Sequence, residues 1–234
     1  LEEHNKKFVK DRNNQELLEL QQEIQIRNVS YGYPNTNEQA LQKVNLTIPK
    51  GKAVAFVGSS GAGKTTMVDL ILGLLEPDEG KIMIDGTNIH DRLSAWQRNI
   101  GYIPQSIYIA DESLRANIAF GVPESEIDEE KVMNAVKLAQ LKTMVDRLPE
   151  GIDTVIGEHG TRISGGQRQR VGIARALYHD PKVLVMDEAT SSLDNITERQ
   201  ITEAIQSLKG ERTLIMIAHR LTTVKDCDKL YFME

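Results

Sequence analysis

The sequence predicts an α/β fold with a mostly parallel sheet, an antiparallel β part at its start and an inserted helical part. Three observations predict it. Short apolar runs, Ala53 to Val57, Val183 to Met186 and Thr213 to Ile217, have the composition of strands buried on both faces, as strands of parallel sheets are. Apolar residues at helical spacing follow two of them, at Met67, Leu70, Ile71, Leu74 and Leu75 and again at Ile201, Ile205 and Leu208. Ahead of all these, Ile24 to Tyr31 and Ala40 to Ile48 alternate in the manner of a half-buried antiparallel pair.

Residues 1–22 are polar and rich in Gln, Asn and Glu, which predicts a tether or loose helix in front of a domain spanning residues 23–234. Pro34 and Pro49-Lys-Gly51 punctuate the first strands. The run Ala53 to Val57 passes straight into a glycine-rich stretch and a helix, the strand-loop-helix unit of a parallel sheet. From about 106 to 172 the pattern turns helical, Ile127 to Leu148 most clearly, with breaks at Gly121, Pro123, Pro149 and Gly151. Strand and helix alternation then resumes, and Gly210 caps the helix around Ile205. The last residues, Leu230 to Glu234, read as a strand, so the natural protein is expected to continue. The sequence holds no internal repeat and no low-complexity segment.

Composition narrows the function classes. A net charge of -6 without clustered Lys and Arg argues against a nucleic-acid partner, because phosphate-backbone contacts need concentrated positive charge. Cys227 is the sole cysteine, so neither a disulfide framework nor a thiolate metal site is encoded, and a reducing compartment fits. No run approaches the ~18 apolar residues of a membrane span, and the charged start lacks the layout of a signal peptide.

Three motifs carry chemistry. Gly58-Ser59-Ser60-Gly61-Ala62-Gly63-Lys64-Thr65, with Thr66 beside it, is a phosphate loop of the P-loop NTPase type. Its glycines let backbone N–H groups turn toward β and γ phosphates, Lys64 adds charge, Thr65 can ligate Mg²⁺, and the helix start adds its dipole. The run Val183 to Met186 delivers Asp187 and Glu188 to the carboxyl edge of the sheet. There Asp187 can hold Mg²⁺ through water and Glu188 can polarise an attacking water. Ser164-Gly165-Gly166-Gln167 opens a helix reaching about Tyr178, and its bare amides and hydroxyl make a second anion-binding end.

This set, in this order, resembles the ATP-binding cassette (ABC) family, the nucleotide-binding domains that power ABC transporters, over about Glu23 to Glu234. The usual first residue of the signature is Leu, and here it is Ile163, which leaves Ser164 and both glycines intact. The resemblance implies that Ser164 to Gln167 reach the γ phosphate of ATP held by a partner, so that two chains, copies or homologues, sandwich two ATP molecules head to tail. It implies further roles by position: Tyr33 stacks on adenine, Gln105 senses Mg²⁺ and water, Asp194 communicates across the dimer, and His219 acts as a switch near the γ phosphate. Thr154-Val-Ile-Gly157-Glu158-His-Gly160 is similar to a segment of exporter-type cassettes that touches transmembrane domains. The polar residues 1–22 occupy the place where an exporter's last membrane helix would join. The tail from His219 to Phe232 is similar to subgroups moving lipid-linked or polysaccharide cargo.

The expectation is therefore a Mg²⁺-dependent ATPase that powers an exporter from the cytoplasmic face of a membrane, attached through transmembrane domains outside this chain. Two alternatives fit less of the sequence. A soluble cassette acting on chromosomes or ribosomes usually carries long heptad coils or two cassettes in one chain, and neither occurs here. A P-loop kinase has no use for Ser164 to Gln167.

Overall fold

The fold is built around a parallel sheet whose two faces feed two different cores. The computed structural model describes residues 18–34, 36, 38–187, 195–218 and 224–234, with residues 195–200 described by their backbone alone. Strands β1 (Glu23–Gly32) and β2 (Gln39–Pro49) pair antiparallel, as their alternation predicts, and β4 (Glu79–Ile84) joins the other side of β1. A two-residue turn, Asp85-Gly86, leads from β4 into β5 (Thr87–Asn88). Both turn residues have positive φ, 48° and 90°, as the tight hairpin requires. The result is a four-stranded antiparallel sheet in the order β2-β1-β4-β5.

The parallel sheet holds β3 (Ala53–Gly58), β6 (Ile100–Ile103), β9 (Val183–Asp187), β10 (Thr213–Ile217) and β11 (Lys229–Met233), in the order β11-β3-β10-β9-β6. Successive side chains of a strand point to opposite faces. On β3, Ala53, Ala55 and Val57 enter one core while Val54 and Phe56 enter the other, and β9 and β10 divide in the same way. This double burial is why these strands are apolar throughout. One core carries the antiparallel sheet and helix α1 (Lys64–Leu72); α2 (Leu93–Gln97) adds buried Trp96, whose Nε1 donates to the Ile71 carbonyl at 2.7 Å.

The other core carries the helical part: α3 (Leu114–Ile118), α4 (Glu129–Leu138), α5 (Lys142–Val145) and α6 (Gly165–Leu177). Gln140, at φ 54°, breaks the expected Ile127–Leu148 helix into α4 and α5. A short ribbon of β7 (Glu112–Ser113) and β8 (Val155–Ile156) closes this part, and α7 (Asn195–Gln206) precedes β10.

The described part of the segment read as a tether, residues 18–22, packs on the domain. Leu18 and Leu20 are buried in the same core as Trp96. The Asp85 carboxylate accepts the backbone N–H groups of Gln21, Gln22 and Glu23 at 2.5, 3.0 and 2.8 Å, and the Asn99 side chain donates to the Leu18 carbonyl. None of the described helices is long and apolar enough to cross a membrane.

Candidate nucleotide site

Backbone geometry shapes the phosphate loop. Gly58, Gly61 and Gly63 have φ of 155°, 85° and 81°, a region that other residues adopt only under strain. Two of the three are also sterically fixed as glycine. A Cβ on Gly58 would lie 2.2 Å from the Met233 carbonyl oxygen on β11, and one on Gly63 would lie 2.6 Å from the Ala40 carbonyl oxygen on β2. Around Gly61 no such neighbour lies among the described residues, and its conformation is what calls for glycine. Helix α1 starts at Lys64 with no side-chain cap on its first amides. The opening N–H groups of a helix need partners from outside the helix, and here they face the loop.

Lys64 is buried, and its Nζ donates to the carbonyls of Gly58 and Ser59 at 3.0 and 2.6 Å. A buried ammonium needs such partners, and they hold its charge over the loop. Thr65, next on the helix, is exposed. Thr66 is buried, and its hydroxyl lies 3.0 Å from the Tyr33 hydroxyl, which brings the end of β1 onto the start of α1. The Tyr33 ring meets Tyr31 edge to face, with centroids 5.2 Å apart.

Strand register gathers the acidic end of β9 and the Gln105 loop at the same edge. Ile217 on β10 lies opposite Asp187 on one side and Phe56 on the other, so β9 ends level with the start of the phosphate loop. Ile103 on β6 lies opposite Met186, which places Pro104 and Gln105 beside the end of β9. The Tyr102 phenol titrates above its ordinary range, pushed up first by burial and then by the Asp187 and Asp69 carboxylates. That phenol is a part of this edge that motif reading missed; its only sequence signal was its place three residues before Gln105. Glu188, Asp194 and His219 lie outside the described residues.

The Ser164 turn stands apart, at the start of α6 on the other core. Its bonds form a capping box: the Ser164 hydroxyl accepts the Gln167 N–H at 3.2 Å, and the Gln167 side-chain oxygen accepts the Ser164 N–H at 2.8 Å. The hydroxyl still has its own proton to donate. Ser164 and Gly165 are exposed, while Ile163 is partly buried against the core and anchors the turn from behind. This end of α6 therefore offers N–H and O–H donors to an anion arriving from solvent.

The residues fit a magnesium nucleotide. Mg²⁺ keeps several waters and needs few protein ligands when phosphates supply the rest. A threonine hydroxyl at the helix start and one carboxylate at the strand end are a sufficient protein share.

Comparison with known proteins identifies the family. The ABC transporter family model matches residues 41–191, more than half of the chain. The chain is 43% identical over 216 residues to the heterocyst differentiation ATP-binding protein HepA of Nostoc sp., covering 92% of this chain and 35% of that protein. It is 40% identical over 213 residues to an ATP-dependent lipid A-core flippase of Haemophilus influenzae, covering 91% of this chain and 36% of the flippase. Among solved structures it matches a bacterial Atm1-family ABC exporter with ATP bound, at a TM-score of 0.83 and 36% identity, covering 95% of this chain and 39% of that one. The chain thus spans about a third of the length of the curated relatives it matches. With the fold, the phosphate loop and the Ser164 turn all in place, the chain belongs to the ABC transporter family, as an ATP-binding ATPase domain.

Proposed function

We propose that this chain hydrolyses ATP with Mg²⁺ as the motor of an ABC exporter, paired head to tail with a second copy or a homologous domain at the cytoplasmic face of a membrane. One observation carries the reading: two helices, in different places, start with backbone N–H groups that an anion could take. One such start is the phosphate-loop end of α1 and the other is the Ser164 end of α6. A single nucleotide needs the first, and the second makes sense when it serves the nucleotide of another chain.

In this reading Tyr33 stacks on the adenine, and the loop amides from Gly58 to Thr66 with Lys64 hold the β and γ phosphates. The Thr65 hydroxyl and Asp187, with Gln105 nearby, are the residues that would hold Mg²⁺, which neutralises phosphate charge when bound. Glu188 takes a proton from the attacking water, and His219 orients near the γ phosphate. From the partner chain, Ser164, Gly165, Gly166 and Gln167 donate to the γ phosphate, and Asp194 links the two sites. The transition state is a spread of negative charge, so donors aimed at it lower the barrier.

Support for the exporter comes from the helical part. Tyr108 and Phe120 are exposed there at 68% and 49% with ring centroids 6.5 Å apart, a pair of large apolar groups open to a partner surface. Arg175 of α6 braces it, with its guanidinium 4.5 Å over the Phe120 ring and Nη1 donating to the Tyr108 carbonyl at 2.9 Å. The cytoplasmic loops of transmembrane domains are the proposed occupant, because relatives about three times as long carry exporter and flippase names. A lipid-linked cargo is the class that the flippase names favour.

Complementation tests the pairing. Lys64→Ala and Ser164→Ala chains are each expected to be inactive, whereas their mixed dimer holds both lesions in one site and leaves the other wild type. ATPase activity should reappear in the mixture at high protein and ATP concentrations. A mixture that stays inactive while a mixed dimer is shown to form would overturn the pairing.

A further inference from the structure

The chain segment that leads into Ser164 is gripped by one carboxylate from a distant loop. Asp111 ends the loop that starts at Gln105. Its Oδ1 accepts the His159 N–H at 3.0 Å, and its Oδ2 lies 2.6 Å from the His159 ring Nδ1. Gly157 makes room for the grip: at φ 124°, a Cβ there would lie 2.3 Å from Asp111 Oδ1. Beyond His159 the chain folds back on itself, with the Thr161 N–H donating to the Val155 carbonyl at 2.9 Å, and reaches Ser164 after two more residues.

We propose that Asp111 is a positioning residue that holds His159 so that the Gln105 loop and the segment entering the Ser164 turn move as one piece. The inference rests on the reading of Ser164 as a donor to the partner's nucleotide. Without the grip, the described links between the two segments lie at one end: the two residue pairs of the β7–β8 ribbon, Glu112 with Ile156 and Ser113 with Val155, the Leu114 N–H donating to the Thr154 carbonyl at 3.0 Å, and the Arg115–Asp153 pair. So short a ribbon leaves the far end of the segment free to pivot. The contact is too exposed to add much stability, with side-chain exposures of 38% and 84%, so its effect is on placement.

Titration accords with the geometry. The Asp111 carboxyl is held below its ordinary range, first by the His159 backbone N–H and then by the ring; the His159 imidazole is held above its own, first by the hydrogen bond to Asp111 and then by that charge. Other charged groups on the packed elements are Glu112 on β7, Glu158 and Arg162 on the same segment, and the Arg115–Asp153 pair, 2.7 Å apart, where α3 meets the start of β8. Asp111 is the one that sets the His159 titration.

The test uses this chain with ATP and Mg²⁺. In Asp111→Ala the protein concentration giving half-maximal specific ATPase activity should rise by about two- to five-fold, the range one exposed charged contact can supply. ATP affinity of the dilute chain and the melting temperature should stay at wild-type values, which a merely structural role would not leave untouched. Asp111→Asn keeps an oxygen for the His159 N–H and should fall between, while the His159 ring titration, followed by NMR, moves down toward its ordinary value. Ser164→Ala is the reference. If Ser164→Ala is crippled and Asp111→Ala behaves as wild type, the positioning role is overturned alone; if Ser164→Ala is also wild type, the reading of Ser164 falls and the positioning role with it. An unchanged His159 titration in Asp111→Ala would overturn the contact itself.

Discussion

Removing the Tyr33 ring should weaken ATP binding while sparing the phosphate loop. The ring is 42% exposed, so a large part of it is open to a base. It is also held still, by the edge contact to Tyr31 at 5.2 Å and by the hydroxyl contact to Thr66 at 3.0 Å. Base stacking on an aromatic contributes about 1–3 kcal/mol, so Tyr33→Ala should raise the Kd for ATP by roughly five- to 150-fold. Tyr33→Phe separates the two parts. It keeps the stacking surface and loses only a hydrogen bond with a net value of about 0.5–1.5 kcal/mol, of which orientation of the ring is a share, so a loss of about two- to five-fold is expected. Isothermal titration of the dilute chain with ATP and Mg²⁺ measures both. Equal affinity for Tyr33→Ala and wild type would refute the stacking role. A Phe variant as weak as the Ala variant would show that the hydroxyl, and not the ring face, is what the nucleotide needs.

Glu188→Gln should keep ATP affinity, stop turnover and accumulate an ATP-loaded dimer on gel filtration, since a water that is not polarised leaves the sandwich closed; a monomeric or fully active variant would remove Glu188 from that role. Cys227 should resist thiol reagents in the native chain at pH 8 and react once unfolded, because burial pushes its thiol up to about 11. The sign follows from linkage: the folded state holds this proton more tightly than the unfolded chain does, so the stabilisation is present below about pH 8.5 and is lost as pH rises through about 11. Rapid native labelling at pH 8 would contradict the burial of the thiol.

The motifs were legible because each is local. Three glycines and a lysine within a few residues specify the phosphate loop, and a serine followed three residues later by a glutamine specifies the capping box of α6. The hairpin at Asp85-Gly86 was also legible in principle: an Asp-Gly pair after Ile82 and Ile84 is a strong turn signal, and its strand β4 completes the antiparallel sheet. What the sequence does not display is side chains that bind backbone far away. Asp85 reaches Gln21 across 64 positions, Asn99 reaches Leu18 across 81, and Asp111 reaches His159 across 48. None has a spacing rule, because the fold and not the local chain brings the partners together. The break at Gln140 is of the same kind, a positive φ on a residue with no turn signature.

The apolar runs that announced the parallel sheet concealed the division that matters most for the site. A strand buried on both faces shows no alternation of polarity, yet alternate residues of β9 belong to different cores: Val183 and Val185 to the one beneath the antiparallel sheet, Leu184 and Met186 to the one beneath the helical part. Tyr33 and Lys64 sit with the first. Ser164 enters with the second, through Val171, Ile173 and Ala174 of α6. In the proposed pairing the parallel sheet would thus be the wall between the element holding a chain's own nucleotide and the element offered to its partner, and the chain after β6 leaves that wall toward the helical side, where Ile107 joins the second core. A small tilt of the helical part against the sheet would move the Ser164 turn without moving Lys64. Interiors pack too densely to deform smoothly, so such a tilt would proceed as a shift between packed arrangements.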